Sequence, residues 1–350
     1  MAEQIARLDQ GAWAAPGVVE TVHPGVHRVP LPLPDDGLHA VNVYLLEGLA
    51  EDGRLVMIDG GWAVPEAREA LEAGLAGIGR ELGEISHILV THIHRDHYTH
   101  AVELRRLLGS RVYLGAGERP GLELLHQLGS DEPAGSLDVL RRAGADELAD
   151  RIGKMDHGGY DPEVWEAPDR WLGAGNVGFG AGELKVVPTP GHTKGHVVFL
   201  DERRGLLFAG DHVLPHITPS IGFELAEAGG RPLADYLDSL RLMTRYADTR
   251  LLPAHGPVAD SAHTRVAELL AHHDDRLARS LAALGDEALD AHAVARRLAW
   301  TRRAVPFGEL SAFNQMLAIN ETAAHLDVLV LEGLATVAHV VGVDRYCRVR

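Results

Sequence analysis

Within Thr91-His92-Ile93-His94-Arg95-Asp96-His97, four side chains able to ligate a metal fall within six positions. Imidazole and carboxylate together suit zinc and its first-row neighbours. Ahead of them runs Ile85-Ser86-His87-Ile88-Leu89-Val90, apolar and β-branched, which reads as a buried strand. Behind them Ala101, Leu104, Leu107 and Leu108 recur at helical spacing. The cluster therefore belongs on a strand-to-helix turn, where side chains converge on one point outside a sheet. The chain has 21 histidines, so a single one carries little weight, but a run this dense on such a turn does. Four further polar residues end apolar strands with glycine beside them or within two positions: Asp59, His192, Asp211 and His255. Glycine allows the tight turns and close approach that a crowded site requires.

The elements that must position these residues follow from patterning. Strands are predicted over 26–31, 40–46 and 54–59, with a turn at 34–37, then a helix over 65–82, the cluster strand and its helix, and a short strand over 111–114. From Arg119 to about Arg170 the pattern becomes helical and irregular, which predicts an insertion lying over the main sheet and shaping access to the site. Strand signals return over 184–187, 197–200, 206–209 and 251–253, with an amphipathic helix over 233–246. Beyond Asp260 three helices are predicted, over 266–284, 291–298 and 310–331, ending in a hairpin. The organisation read from this is an N-terminal arm over 1–24, a main domain over 25–259 that carries the His/Asp residues, and a small C-terminal domain over 260–350.

The ordered set Asp59, His92/His94/Asp96/His97, His192, Asp211 and His255 resembles the five motifs of the metallo-β-lactamase fold superfamily, over about Gly25 to Pro257. The resemblance implies an α/β fold, an αββα sandwich of two mixed sheets flanked by helices. It implies one metal ion on His92, His94 and His192, a second on Asp96, His97 and His255, and Asp211 bridging both. Asp59 is then expected to orient a ligand or its loop rather than to ligate. The complement is that of the two-metal, glyoxalase II-like pattern, and His-Arg-Asp-His differs from the glutamate variant of di-iron redox relatives. The implied cofactor is two divalent ions, zinc first, with iron or manganese as alternatives. The implied chemistry is hydrolysis by a bridging hydroxide, with Asp96 and Asp211 orienting it. The C-terminal region is similar in position and helix order to the winged-helix domain of lactamase-like hydrolases, a branch that includes a single-strand endoribonuclease.

A small-molecule ester, thioester or lactone is the expected substrate. A phosphodiester in single-stranded nucleic acid is the alternative, through a patch of Arg296, Arg297, Arg302 and Arg303 around Trp300. The net charge of −17 and an aromatic content of 5% disfavour nucleic acid. A metal-binding regulator with a DNA-reading module is a third reading, disfavoured because a binding module needs no open two-metal site. No P-loop, dinucleotide fingerprint or nucleophile elbow is present. With no run of eighteen apolar residues and no leader pattern, no membrane partner is expected and the cytoplasm is the expected location; a homodimer is left open. One cysteine, Cys347, excludes an intramolecular disulfide and reads as a structural or exposed thiol. His87 reads as a packing residue, His100 as bracing a ligand or exposed, and His196 and His212 as neighbours of ligands. His157, Tyr160 and His216 read as loop residues, and His272-His273 as a solvated face.

Overall fold

Alternation along single strands sorts side chains into layers. In β4 (Leu55–Ile58), Leu55 and Met57 face one core while Val56 and Ile58 face another. A strand buried on both faces is the mark of a sheet covered on both sides. The computed structural model describes residues 15–34, 38–129, 134–155, 161–222, 230–285, 287–301 and 303–350.

The first sheet takes its strands in chain order: β1 (Glu20–His23), β2 (Val26–Pro32), β3 (Ala40–Leu46), β4, β5 (Ile85–Val90), β6 (Arg111–Gly115) and β7 (Arg170–Leu172). It is antiparallel from β1 to β4 and parallel from β4 to β7. The second sheet runs β12 (Arg250–Pro253), β11 (Leu206–Gly210), β10 (Val197–Asp201), β9 (Glu183–Pro188), β8 (Gly175–Gly178), with only β11 and β12 parallel. Tyr44, Val56, Ile58 and Leu89 meet Val186, Phe199, Phe208 and Leu252 between the sheets. Leu71 and Leu75 of α1 (Pro65–Gly77) and Leu104 of α2 (Arg95–Leu108) cover the outer face of the first sheet. This is the expected αββα sandwich.

Several boundaries differ from expectation. The arm drawn over 1–24 loses its last residues to the sheet, because Glu20–His23 pairs with β2. α1 stops at Gly77, just ahead of Gly79, whose left-handed backbone at φ 71° turns the chain out of the helix while the Arg80 N–H donates to the Leu75 carbonyl. The insertion divides. α3 (Arg119–Leu128) packs its Leu122 and Leu125 under the first sheet. α4 (Ala134–Arg142) and α5 (Asp146–Ile152) bury Leu137, Leu140 and Ile152 in the other helical layer. That layer contains α6 (Pro232–Met243), α7 (Ala262–Leu284), α8 (Ala291–Ala295), α9 (Ala312–Leu331) and the outer face of the second sheet. The insertion therefore does not simply lie over the main sheet: its second half packs against the C-terminal region.

The C-terminal region has the three predicted helices, a bridge between β13 (Ala299–Trp300) and β14 (Val305–Pro306), and a hairpin of β15 (Ala335–Val340) and β16 (Val343–Arg348). It shares one apolar core with the second sheet. Arg142 of α4 reaches Asp344 of the hairpin at 2.6 Å. Among the described residues no helix is long and apolar enough to cross a membrane. Asp35, Asp36 and Gly37 of the expected turn, His157, Tyr160 and Arg302 lie outside the described residues.

The reading of His272-His273 as a solvated face holds for His272, which is exposed, and is corrected for His273. His273 is 1% exposed, and its ring stacks on His325 with Nδ1 3.1 Å from the His325 Nε2. His325 donates its Nδ1 hydrogen to the Glu321 carbonyl, so the hydrogen between the rings belongs to His273. Burial, reinforced by His325, His272 and Arg276, pushes His273 down to about 2. The unfolded chain protonates a histidine near pH 6.5, so this stabilisation is complete above about that pH and is lost as pH falls below it. Between pH 6 and 4 the group is expected to remove roughly 1 kcal/mol of stability per pH unit. Urea unfolding of metal-free His273→Phe should show a pH slope shallower by that amount, and a slope equal to wild type would refute the assignment.

Candidate metal centre

Every candidate ligand lies just past the C-terminal end of a strand. β5 leads into the loop 91–94, and His94 sits at the N-cap of α2, so His92 and His94 lie on the loop while Asp96 and His97 lie on the first helical turn. β9 leads to His192, β11 to Asp211 and β12 to His255. Strands from both sheets thus deliver side chains to one edge of the sandwich.

Three groups of side chains have donor atoms close enough to hold an ion: His92/His94/His192, His92/His97/Asp211 and Asp96/His97/His255. In the first, Nε2 of His92, Nδ1 of His94 and Nε2 of His192 are 3.1–3.2 Å apart. Nitrogens about 2.0–2.1 Å from one tetrahedral ion would be separated by about 3.3 Å, so the triangle fits zinc. The tautomers agree. His192 donates its Nδ1 hydrogen to the Ser220 carbonyl at 2.8 Å. The Thr91 hydroxyl donates to Asp59 and so accepts from Nδ1 of His92 at 3.1 Å. The Nε2 atoms of both rings therefore present lone pairs to each other, a repulsion that a cation between them removes.

In the Asp96/His97/His255 group, Oδ2 of Asp96 is 3.4 Å from Nε2 of both His97 and His255. His97 donates Nδ1–H to Asp59 at 3.0 Å, and His255 donates Nδ1–H to the Ala40 carbonyl at 2.9 Å. Nε2 of His97, Nε2 of His255 and Oδ1 of Asp211 are buried without a hydrogen-bond partner. Native interiors rarely leave such atoms unmatched, and here they point at one another. Asp211 stands between the groups: Oδ1 is 3.4 Å from Nε2 of His255 and 3.7 Å from that of His97, while Oδ2 is 3.4 Å from Nε2 of His192.

Electrostatics divide the cluster the same way. Burial, helped by the surrounding imidazoles, holds His92 and His94 well below the usual histidine range, and burial lowers His192. Burial also opposes charge on His97, but Asp96, Asp59 and Asp211 outweigh it and hold His97 well above that range. His255 is raised to about 9 because Asp211 and Asp96 overcome the effect of burial. One side thus offers neutral lone pairs, and the other an anionic pocket that attracts protons or a cation.

The surrounding side chains fix this arrangement. Asp59, itself in a left-handed conformation at φ 59°, accepts the Thr91 N–H at 2.7 Å while holding His97. His196 accepts the Asp211 N–H on Nε2 and meets Thr189 Oγ1 through Nδ1. His100 is buried and donates to the Gly60 carbonyl at 2.7 Å. His87 packs against Tyr113 and Phe179. His212 is buried, and His216 is partly buried. Two residues escaped sequence reading. Asn42 donates its amide to the Pro253 and Gly256 carbonyls, and the Tyr44 hydroxyl donates to Pro253, pinning the loop that carries His255. Both are on an apolar strand more than 200 residues from that loop, and only burial of a polar side chain would mark them. Gly210 is closely packed: a Cβ there would lie 2.6 Å from Thr91 Oγ1 and 2.8 Å from His196 Nε2.

The sequence profile of the metallo-beta-lactamase superfamily matches residues 36–255. A probable metallo-hydrolase, YqjP, of Bacillus subtilis (strain 168) is 26% identical over 326 residues, covering 88% of this chain and 92% of its own. A metallo-beta-lactamase family protein from Thermus thermophilus superposes with a TM-score of 0.74 at 28% identity, covering 94% of this chain and all of its own. A beta-lactamase domain protein from Burkholderia ambifaria superposes with a TM-score of 0.74 at 30% identity, covering 96% and 94%. Both superpositions extend into the C-terminal region.

Asparagine tolerates the left-handed backbone, so Asp59→Asn tests the side chain alone. Losing the carboxylate that orients His97 is expected to weaken metal binding about 10–100-fold. Chelator competition measures this, and an affinity within threefold of wild type would contradict the role.

Proposed function

The chain belongs to the metallo-beta-lactamase superfamily, and from that premise we propose that it is a two-metal hydrolase of small-molecule esters, thioesters or lactones. The observation that carries the two-metal reading is Asp211, whose oxygens are divided between His192 on one side and His97 and His255 on the other. In this reading His92, His94 and His192 would hold one divalent ion and Asp96, His97 and His255 the second, with Asp211 placed between the two groups to serve both. Zinc suits the imidazole-rich side, with iron or manganese as alternatives. When bound, the ions supply Lewis acidity and a nucleophilic water at neutral pH.

The chain's own groups supply position. Oδ2 of Asp96 faces His97 and His255, which leaves Oδ1 to accept a hydrogen from the attacking water. Burial works against ionisation of Asp96, but His97 and His255 outweigh it and hold the carboxyl well below its usual range. An ionised carboxylate there can accept a hydrogen bond and so orient the water. Beside His94 the Arg95 guanidinium lies 4.9 Å over the ring of Trp62, which is itself partly packed against the core.

The nucleic-acid alternative loses its aromatic platform. Trp300 is 7% exposed, covered by Arg276 at 4.3 Å, and its ring N–H donates to Ala295. Arg297 donates to the Ala283 carbonyl.

Purified protein is expected to carry close to two equivalents of metal by elemental analysis. Chelation should abolish hydrolysis, and metal should restore it. Asp96→Ala and Asp211→Ala should each lower kcat at least about 10²-fold on a responsive thioester or lactone. Cleavage of single-stranded RNA or bis-p-nitrophenyl phosphate without ester, thioester or lactone turnover would replace the substrate reading. Failure to take up zinc, iron or manganese would remove the mechanism.

A further inference from the structure

Behind the cluster, away from its ligands, lies a buried carboxylate with no part in the scheme above. Glu118 is 3% exposed and ends the short turn Ala116–Glu118 that follows β6. Its carboxylate accepts the Thr193 hydroxyl at 2.5 Å, the Ile93 N–H and the Gly195 N–H. Ile93 lies between His92 and His94, and Thr193 and Gly195 follow His192. One side chain therefore bonds both loops that deliver nitrogens to the 3.1–3.2 Å triangle.

The backbones around it are in direct contact. A Cβ on Gly195 would fall 2.1 Å from the Glu118 nitrogen. One on Gly115 would fall 2.0 Å from the Gly195 oxygen, and one on Gly117 2.7 Å from the Gly195 Cα. Glycine at all three positions lets the 115–118 turn sit against the 193–195 loop with no side chain between them. The turn is a rigid backing, and the carboxylate is the clamp that holds each loop to it.

We propose that Glu118 is a positioning residue that sets the separation of the 91–94 and 189–196 loops and so builds the His92/His94/His192 metal site. The assignment rests on the two-metal reading. Its consequence is selective: of the bonds Glu118 makes, none reaches Asp96, His97 or His255. A carboxylate accepts on both oxygens, whereas an amide presents N–H groups at one end. Glu118→Gln is nearly the same size and sets a donor against one of the loop N–H groups.

The test is stepwise metal titration of the full-length protein against a chelator, using zinc for affinity and cobalt(II) absorption to follow the imidazole site. Wild type should take two equivalents. In Glu118→Gln one equivalent should weaken about 10–100-fold, with loss of the cobalt signal of the three-histidine site, while the other stays within threefold. Thr193→Val, which removes one donor and keeps the carboxylate, should weaken the same equivalent to a smaller degree and decides the matter should Glu118→Gln not fold. Ser86→Ala, which loses a buried bond to the Leu55 carbonyl, controls for plain destabilisation and should leave both affinities unchanged. Unchanged affinities in the Glu118 and Thr193 variants, or equal weakening of both equivalents, overturn the assignment alone. Wild-type protein that takes up no metal overturns the two-metal reading and this assignment with it.

Discussion

Buried imidazoles whose inward nitrogens must stay unprotonated are the constraint on which the centre depends. A ring nitrogen keeps its lone pair only if the hydrogen sits on the other nitrogen, and that nitrogen then needs an acceptor. Ser220, Ala40, Asp59 and Thr91 fill this need for His192, His255, His97 and His92. Each acceptor comes from a different part of the chain. The fold can thus be understood as the scaffold that brings four acceptors behind four rings while the rings face one another.

That requirement explains the polar residues set among apolar strands. Asn42 and Tyr44 belong to a strand whose every residue is buried, yet they direct their polar atoms to the loop after β12. Buried polar groups are tolerated when paired, and paired ones fix a single geometry. Glu118 does the same for the loops that hold the three-histidine triangle. The apolar layers between and outside the sheets supply cohesion, while this small set of polar bonds supplies position.

The two halves of the centre differ in charge as well as place. His92, His94 and His192 are neutral because burial suppresses their protonation, whereas His97 and His255 lie among Asp59, Asp96 and Asp211 and favour positive charge. A cation on the carboxylate side would have to displace protons, which would tie its affinity to pH more closely than that of a cation on the neutral side. The helical layer beyond the second sheet, built jointly by the insertion and the C-terminal region, backs the strands that carry Asp211 and His255 without contributing a candidate ligand among the described residues.

The sandwich and the division of the ligand set between two ions were implied by the family resemblance, while sequence alone determined the strand-to-helix turn at His92–His97 and the polar ends of the other strands. Those features are local: alternation along a strand, helical periodicity and glycine at a turn are set by neighbours in the chain. The pairing of the second half of the insertion with the C-terminal helices, the burial of His273 against His325, the bracing by Asn42 and Tyr44 and the clamp at Glu118 were decided by tertiary structure. Each joins residues tens to hundreds of positions apart, and no local pattern encodes which distant acceptor a side chain will meet. His273 shows the reason most plainly. Next to His272 on one helix it looks like a polar face, and only the packing of α9 turns it into a buried base.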